Sequence, residues 1–351
     1  MTESKFNIFK ILSKDDKELI HSAFIQFLIG EESISFCKDF LNIPSNIVFK
    51  NAEIEQSYTL DVGGRRKKRL RIDVQAINEN NNNFLIIENK FKSFPYEEQL
   101  MLYNQLCDIE YKGCSKHKFL LCFDKGITAL KEMDWKILDY SELLAYLKEN
   151  EIKFKGDKLI MVKHYIIFLD EYVESYKNSK QDARSLFERP LKSKKTKFFL
   201  NLCFSALRLR LEHRFREKGI LDVKYHVSPG NTTTPLINII PLSWKHNYEL
   251  LIQLQGNKLK LYCHHNGVKN SEKEFKQFGL DLVKNIEEME DVWSQGKFKK
   301  MTAANPKSYY IYQTLLTDQI EKDKMDLPSI EDAVMRFYHN IDNVLNKIYP
   351  N

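Results

Sequence analysis

The chain has 351 residues, 43% of them hydrophobic and 29% charged, which is typical of a folded protein with one large or two modest domains and excludes a disordered class. A formal net charge of +6 weakly favours a polyanionic partner. With no apolar run of spanning length and no signal-peptide core, the sequence predicts a cytoplasmic protein that does not contact a membrane.

The first predicted helix carries two candidate site residues. Ser13 and Asp16 form a helix-start pattern, and the apolar stripe after them predicts a helix to about Ile29 that Gly30 ends. The candidates, three apart beside this stripe, are Glu18 and His21. Glu18 is either a site acid or a first-turn acid favoured by the helix dipole, and His21 is either a site residue or a hydrogen-bonded boundary histidine.

A basic segment follows a predicted hairpin turn at Gly63 and Gly64. We interpret its positive charges as contacts to nucleic-acid phosphates, the alternative being a solvated hairpin tip with edge-protecting charges. The residues of this basic segment are Arg65, Arg66, Lys67, Lys68, Arg69 and Arg71.

Two β-type runs, residues 71–77 and 84–90, flank an Asn-rich link and predict a second hairpin. If Ile77 pairs with Phe84, Asp73 falls opposite Glu88. Strand alternation then places Lys90 on the face of Glu88. The hairpin therefore predicts two facing carboxylates beside a lysine.

Facing carboxylates destabilise a sheet unless they share a proton or are neutralised. Hard oxygen ligands suit Mg²⁺, with Mn²⁺ as an alternative, and either ion would activate a water for attack on phosphorus. In this interpretation Asp73 and Glu88 bind the metal, and Lys90 steadies the attacking water and the charge developing on the phosphate. The plain alternative is an ordinary charge cluster on a solvated face.

A helix starts after Ser93 and Pro95 and carries Gln99 and Tyr103 on one face. The order Asp73, then Glu88-x-Lys90, resembles the D…(D/E)-x-K signature of the PD-(D/E)XK nuclease superfamily, although Ile72 stands where that name has Pro. Gln99 and Tyr103 resemble the Q-x-x-x-Y element of its RecB-like branch. The E-x-x-H-S run at residues 18–22 is similar to an N-terminal motif of an uncharacterised bacterial subfamily.

The resemblance implies an α/β restriction-endonuclease-like core of order αβββαβ, in which helices flank a mixed sheet. It also implies a metal-dependent nuclease acting on a nucleic acid, most readily DNA, in restriction, repair or defence. Glu18 and His21 become further metal-ligand candidates, and Gln99 and Tyr103 become residues that orient the site. The alternative is a catalytically inactive nucleic-acid-binding or assembly protein on the same fold. Exonuclease or endonuclease action, RNA cleavage and oligomerisation stay open.

The remaining elements predict two domains, residues 1–178 and 190–351. The first ends with strands at residues 117–123 and 135–140, a helix capped by Ser141, and a long helix over residues 157–177 that leads into a polar linker. The second alternates helices with meander-type strands and predicts an α+β domain, which we associate with substrate selection from its position in the chain alone. Its first helix carries arginines that we interpret as a solvated face or a nucleic-acid contact: Arg208, Arg210, Arg214 and Arg216.

Overall fold

A computed structural model describes residues 7–11, 18–32, 35–63, 67–80, 82–125, 134–184, 194–228, 236–244, 248–264, 272–287, 308–316, 320 and 325–348. The chain divides into two units, Met1–Tyr176 and Lys177–Asn351. This division lies close to the end of the predicted first domain. Each unit contains a five-stranded sheet.

The elements of the first unit follow one another as helix, three strands, helix and strand, with a further strand and two helices. In chain order they are α1 (Ile8–Ile11), α2 (Glu18–Glu31), a π-helical turn (Phe36–Phe40), β1 (Phe49–Asp61), β2 (Lys67–Asn78), β3 (Asn83–Asn89), α3 (Glu97–Glu110), β4 (Ser115–Cys122), β5 (Lys136–Asp139), α4 (Tyr140–Asn150), a 3-10 turn (Glu151–Lys153) and α5 (Gly156–Gln181). From α2 to β4 this is the predicted αβββαβ order.

The sheet of the first unit is mixed, with strand order β1-β2-β3-β4-β5. The first three strands are antiparallel neighbours, and β3, β4 and β5 run parallel. Parallel neighbours need a crossover connection, which α3 provides between β3 and β4. The predicted restriction-endonuclease-like architecture is therefore confirmed for this unit.

The hairpin of β2 and β3 has the predicted register. Ile77 pairs with Phe84, and the ladder continues to the pair of Val74 and Ile87. The link closes on itself, because the Asn78 side-chain oxygen accepts hydrogen bonds from the backbone N–H groups of residues 82 and 83, at 3.0 and 2.9 Å. Asparagine favours such local contacts, which is why an Asn-rich link makes a turn here.

The two faces of this sheet have different neighbours, because side chains alternate along each strand. Asn89 of β3 contacts Ser22 of α2, so one face lies against α2. Glu88 of β3 contacts Gln99 of α3, so the other face lies against α3. Two neighbouring residues of β3 therefore contact different helices.

Three predicted helix limits are wrong. Helix α2 continues through Gly30 to Glu31, because a single glycine weakens a helix without ending it. The cap of α4 is Asp139 instead of Ser141: its carboxylate accepts from the Ser141 and Glu142 N–H groups in a capping box. Polar residues 177–181, predicted as linker, continue α5, since they include no Gly or Pro. The predicted helix start at Ser13 and Asp16 lies outside the described residues.

The second unit is an α+β arrangement, as predicted. Its elements are α6 (Lys194–Glu217), β6 (Val223–Ser228), β7 (Leu236–Pro241), a 3-10 turn (Leu242–Trp244), β8 (Glu249–Gln255), β9 (Lys258–His264), α7 (Glu272–Glu287), β10 (Ser308–Leu315) and α8 (Leu327–Ile348). The sheet is an antiparallel meander of order β10-β9-β8-β7-β6. Gly256, with a φ of 53°, supports the predicted turn between β8 and β9.

The interpretation of the α6 arginines as solvent-facing or nucleic-acid-binding does not fit Arg208, Arg210 and Arg214, whereas Arg216 is exposed. Arg208 is 2% exposed and its Nη1 lies 2.5 Å from Glu212. Arg210 and Arg214 both contact Glu331 of α8, at 2.8 and 3.2 Å. Arg210 and Arg214 join α6 to α8, which a local sequence pattern does not reveal because Glu331 lies far along the chain.

Two further properties concern the described residues as a whole. None of the described helices combines the length and apolar composition needed to span a bilayer. All six cysteines are free, and five of them are buried.

Candidate active site

The predicted site lies where β2 and β3 separate. The ladder ends at the pair of Val74 and Ile87, and Asp73 is the next residue towards the separating ends. There the Asp73 carboxylate accepts a hydrogen bond of 2.8 Å from the backbone N–H of Asn89. The carboxylate thus occupies a ladder position that a backbone carbonyl would otherwise fill.

A cavity of about 430 Å³ opens at this point. It brings together most of the predicted site residues, although they come from four separate elements and the turn after β3. Among its lining residues are Glu18, Lys68, Arg69, Arg71, Asp73, Glu88, Lys90, Gln99 and Tyr103. Residues 55 positions or more apart in sequence, such as Glu18 and Asp73, therefore share one space.

Glu88 and Lys90 form the buried part of the site. Glu88 is 1% exposed, and its Oε1 lies 2.6 Å from the Lys90 Nζ, whose side chain is 14% exposed. Burial lowers the pKa of Lys90, but the negative charges of Glu88 and Asp73 outweigh burial and raise it overall. Lys90 therefore stays protonated and provides a fixed positive charge beside the carboxylates.

The two carboxyl groups have raised pKa values. Burial, followed by repulsion from Glu88, raises the pKa of Asp73 from 3.8 to about 8. Burial also raises the pKa of Glu88, against the lowering effect of Lys90. The site thus favours bound protons or another positive charge, since Lys90 alone does not offset the burial of two carboxylates.

Gln99 and Tyr103 form a hydrogen-bonded chain beside Glu88. The Gln99 Nε2 donates to the Glu88 Oε1 at 2.8 Å and lies 3.0 Å from the Tyr103 hydroxyl. The Tyr103 hydroxyl donates to the Arg71 carbonyl oxygen at 2.7 Å, so its proton is directed at β2 and not at Glu88. Burial raises the pKa of Tyr103. Helix α3 thereby fixes the orientation of the Glu88 carboxylate and the end of β2.

The two candidates on α2 have different positions. Glu18 lines the cavity, and its Oε1 accepts a hydrogen bond from the Lys92 backbone N–H at 3.2 Å. Its charge also contributes to the raised pKa of Asp73. His21 is fully buried, stacks on Phe91 and lies 2.9 Å from the Tyr165 hydroxyl. It does not line the cavity, so we do not include it among the metal-binding residues.

Asn89 is a contributor that the sequence pattern does not single out. Its Nδ2 donates to the Ser22 hydroxyl at 3.0 Å and to the Glu18 carbonyl at 3.1 Å, and its Oδ1 accepts from the Tyr140 hydroxyl. These contacts hold the first turn of α2 against β3 and so place Glu18 at the cavity. The available signal was an amide residue in an otherwise apolar strand, whose buried side chain must find hydrogen-bond partners.

The basic segment divides at the limit of the described residues. Arg65 and Arg66 lie outside them. Lys68, Arg69 and Arg71 line the cavity, whereas Lys67 is exposed on the same strand. Lys68 is ion-paired with Glu98 of α3, and Arg71 with Glu55 of β1. Positive charge therefore flanks the carboxylates at the cavity wall.

The residues present fit a small divalent cation. The Glu88 Oε2 is buried and has no hydrogen-bond partner among the described residues, which leaves a strong acceptor available. Within that part of the chain, no three His, Cys, Asp or Glu side chains converge closely enough to enclose an ion. The two neighbouring carboxylates suit Mg²⁺, which is commonly held by one or two carboxylates and keeps several waters. Asp73 and Glu88 would hold it, with Glu18 at the cavity edge.

Comparison with known proteins agrees with this geometry. No curated protein and no solved structure gives a match to the chain. Residues 6–174 match the sequence model of the PD-(D/E)XK nuclease superfamily, a segment that contains the whole mixed sheet and every residue of the cavity. With the signature residues brought together on the expected mixed sheet, residues 6–174 of this chain belong to the PD-(D/E)XK nuclease superfamily.

Proposed function

We propose that this protein is a divalent-metal-dependent nuclease that hydrolyses phosphodiester bonds in DNA. The observation that carries the proposal is the unpaired, buried Glu88 Oε2 next to the raised-pKa carboxyl group of Asp73. A purely structural ion-pair cluster would have its acceptors satisfied. This one retains a free acceptor and holds a proton on Asp73 that a metal ion would displace.

Five residues of the cavity have roles in the proposed reaction. Asp73 and Glu88 hold the ion, and Gln99 fixes the Glu88 carboxylate through its 2.8 Å hydrogen bond. A bound Mg²⁺ supplies a Lewis acid and lowers the pKa of a coordinated water. Lys90 remains protonated beside Glu88 and stabilises the negative charge that develops on the phosphate. Glu18, at the cavity edge, would be the third acidic residue of the metal site.

Support for nucleic acid as the substrate comes from the positive charge around the carboxylates. Lys68, Arg69 and Arg71 line the same cavity, and contacts to phosphate position a nucleic-acid strand without reading its bases. DNA is the proposed substrate because of the superfamily resemblance. Cleavage of RNA is an outcome that the experiment below distinguishes.

The test is to incubate the purified protein with closed-circular DNA, linear DNA and single-stranded RNA, in Mg²⁺, in Mn²⁺ and with chelator. We expect cleavage of DNA that requires the metal, and nicking of closed circles would identify an endonuclease. Asp73→Ala and Lys90→Ala should abolish cleavage while the circular dichroism spectrum stays unchanged. Metal-independent cleavage, or full activity in either variant, would refute the proposal. DNA binding without cleavage would favour a non-catalytic binding protein.

A further inference from the structure

Strand β1 contains a backbone distortion that a regular strand does not need. Glu55 has a φ of 57°, in the left-handed region that residues with a Cβ rarely adopt. Asn51, four residues earlier, has a similar φ of 55°, but it lies at the register shift between Lys50 and Glu53 and asparagine tolerates this conformation. Glutamate has no such preference, so the strain at Glu55 calls for a compensating contact.

The distorted residue, Glu55, lies beside the candidate active site in the sheet. Ile54 pairs with Val74 and Gln56 pairs with Ile72, which puts Glu55 across from Asp73 in the register of β1 and β2. Directly opposed side chains of antiparallel strands share a face, and like charges there repel each other. A third carboxylate at this level would add to the charge that already raises the pKa of Asp73.

The Glu55 carboxylate is instead paired with Arg71. Its Oε2 lies 2.7 Å from the Arg71 Nε. Arg71 lines the carboxylate cavity, and its carbonyl oxygen accepts the hydrogen bond of Tyr103. The Arg71 side chain is 64% exposed although it is paired, whereas that of Glu55 is 23% exposed. The pair therefore ties an accessible guanidinium to the cavity wall.

This pairing leaves Arg71 able to bind a further anion. A guanidinium has five N–H donors, and a single carboxylate accepts from two of them at most in a bidentate contact. At least three donors remain for another ligand. Their direction matters as much as their charge, because a guanidinium recognises phosphate through paired, coplanar N–H groups.

We propose that Glu55 is a positioning residue that holds the Arg71 guanidinium at the wall of the carboxylate cavity, where its remaining donors bind a phosphate of the nucleic-acid strand. This inference rests on the proposed nuclease function. Fixing a long side chain before binding reduces the entropy that binding would otherwise cost. The strained backbone at Glu55 is the cost of that placement.

Two opposite effects are possible for a carboxylate next to a phosphate-binding arginine, and they have different signs. A positioning carboxylate improves substrate binding, so its removal weakens binding. A carboxylate that only neutralises or masks Arg71 opposes substrate binding, so its removal strengthens binding. The sign of the change on removing Glu55 therefore decides between them.

The experiment is a double-mutant cycle on cleavage of a duplex oligonucleotide in Mg²⁺, with Glu55→Ala, Arg71→Gln and the double variant. We expect Glu55→Ala to raise KM by about 5- to 10-fold, less than the loss of a whole hydrogen bond to a charged group because Arg71 itself remains, and to leave kcat within about twofold, since ground-state binding is affected. The double variant should be no worse than Arg71→Gln, because Glu55 acts through Arg71.

The matched control is Glu53→Ala, on the same strand. It removes the same charge, but the Glu53 Oε2 accepts from Gln75 at 3.0 Å and Glu53 does not line the cavity. We expect its KM to equal that of the wild type. Glu55→Gly is a second variant, in which loss of the Cβ relieves the backbone. Its melting temperature should not fall below that of Glu55→Ala, whereas its KM should rise as much as the KM of Glu55→Ala.

Tighter binding in Glu55→Ala would identify a mask and overturn the inference. Additive losses in the double variant, or an equal rise in KM for Glu53→Ala, would also overturn it, and the proposed nuclease function would remain. A wild-type protein that neither binds nor cleaves nucleic acid would overturn the proposed function, and this inference with it.

Discussion

The charged clusters of the two units differ in how completely their charges are paired. In the second unit, the Glu331 carboxylate uses both oxygens, one on Arg210 at 2.8 Å and the other on Arg214 at 3.2 Å. Arg214 is also paired with Asp332. The pKa of Arg214 is raised because these two carboxylates outweigh the effect of burial. Here ion pairs join α6 to α8 and each charge has its counterpart.

The cluster of the first unit is left incomplete. Asp73 and Glu88 face the single ammonium group of Lys90, and one Glu88 oxygen has no hydrogen-bond partner among the described residues. Burial of this kind destabilises the folded chain unless another positive charge arrives. The difference teaches that burial and ion pairing do not identify a functional cluster. An unsatisfied acceptor together with raised carboxyl pKa values indicates such a cluster, because selection for stability alone would remove both features.

The largest expected effect separates the two clusters directly. Glu88→Gln should lower the metal-dependent cleavage rate on the order of 10³-fold, because it removes a metal ligand and the partner of Lys90 from a group of residues that act together. It should change the free energy of unfolding of the metal-free protein little, since loss of the ion pair with Lys90 is offset by loss of the repulsion between Glu88 and Asp73. Cleavage assays and urea denaturation measure the two quantities.

The matched change in the second unit is Glu331→Gln, which should lower stability and leave cleavage unchanged. We expect the free energy of unfolding to fall by about 2 kcal/mol, because two arginines that are one-third exposed lose their charged partner. Cleavage per folded molecule should not change. Equal stability losses in Glu88→Gln and Glu331→Gln would contradict the distinction between the clusters.

A smaller effect is expected on the α3 side of the cavity. Gln99→Ala and Tyr103→Phe should each lower kcat by roughly 10- to 100-fold, the range for losing a group that orients a metal ligand. Metal binding, measured by calorimetry, should persist because Asp73 and Glu88 remain. Met101→Ala is the control, since Met101 is 52% exposed on the same helix and does not line the cavity. Wild-type turnover in both site variants would indicate that α3 only packs on the sheet.

The raised pKa of Asp73 predicts a pH effect on stability. The folded state holds this proton up to about pH 8, whereas the pKa of an aspartate in an unfolded chain is 3.8. Between these values the folded state binds more protons, so the contribution of Asp73 to the stability of the metal-free protein is fully present below pH 4 and falls as pH rises towards 8. Asp73→Asn should remove this fall and be more stable at pH 8 by about 1 kcal/mol or more.

Mg²⁺ sharpens the same test, because it competes with protons for Asp73 and Glu88. The rise in melting temperature on adding Mg²⁺ should grow from pH 6 to pH 8 in the wild type and be small in Asp73→Asn at both pH values. Thermal denaturation with and without Mg²⁺ measures it. A pH-independent rise in the wild type would show that the ion binds elsewhere.

The smallest effect concerns the basic segment. Replacing Lys67, Lys68 and Arg69 by Gln should reduce the slope of log binding constant against log salt by roughly two to three, since each phosphate contact contributes about 0.9. Lys68 should contribute least, because it is already paired with Glu98. The control is the charge-matched triple of Lys148, Lys153 and Lys158, which lie outside the cavity. An unchanged slope in the variant of Lys67, Lys68 and Arg69 would favour the interpretation of this segment as a solvated hairpin tip.

Local pattern was sufficient for the strands and the signature residues. The Asn-rich link and the alternation of β2 and β3 predicted the register from Ile77 to Phe84, because turn chemistry and a period of two residues act over short distances along the chain. The carboxylates and Lys90 share a hairpin for the same reason. The mixed sheet was implied by the family resemblance, and the helix between β3 and β4 provides the crossover that their parallel pairing needs.

The tertiary structure alone decided which charged and polar residues are paired. His21 lies on the Tyr165 hydroxyl, 144 residues away in sequence, and Arg210 on Glu331, 121 residues away. Periodicity marks which face of an element is apolar but not which partner that face meets. The left-handed backbone of Glu55 likewise cannot be read from the sequence. It arises where β1 lies across from Asp73 of β2, and no glycine marks the position.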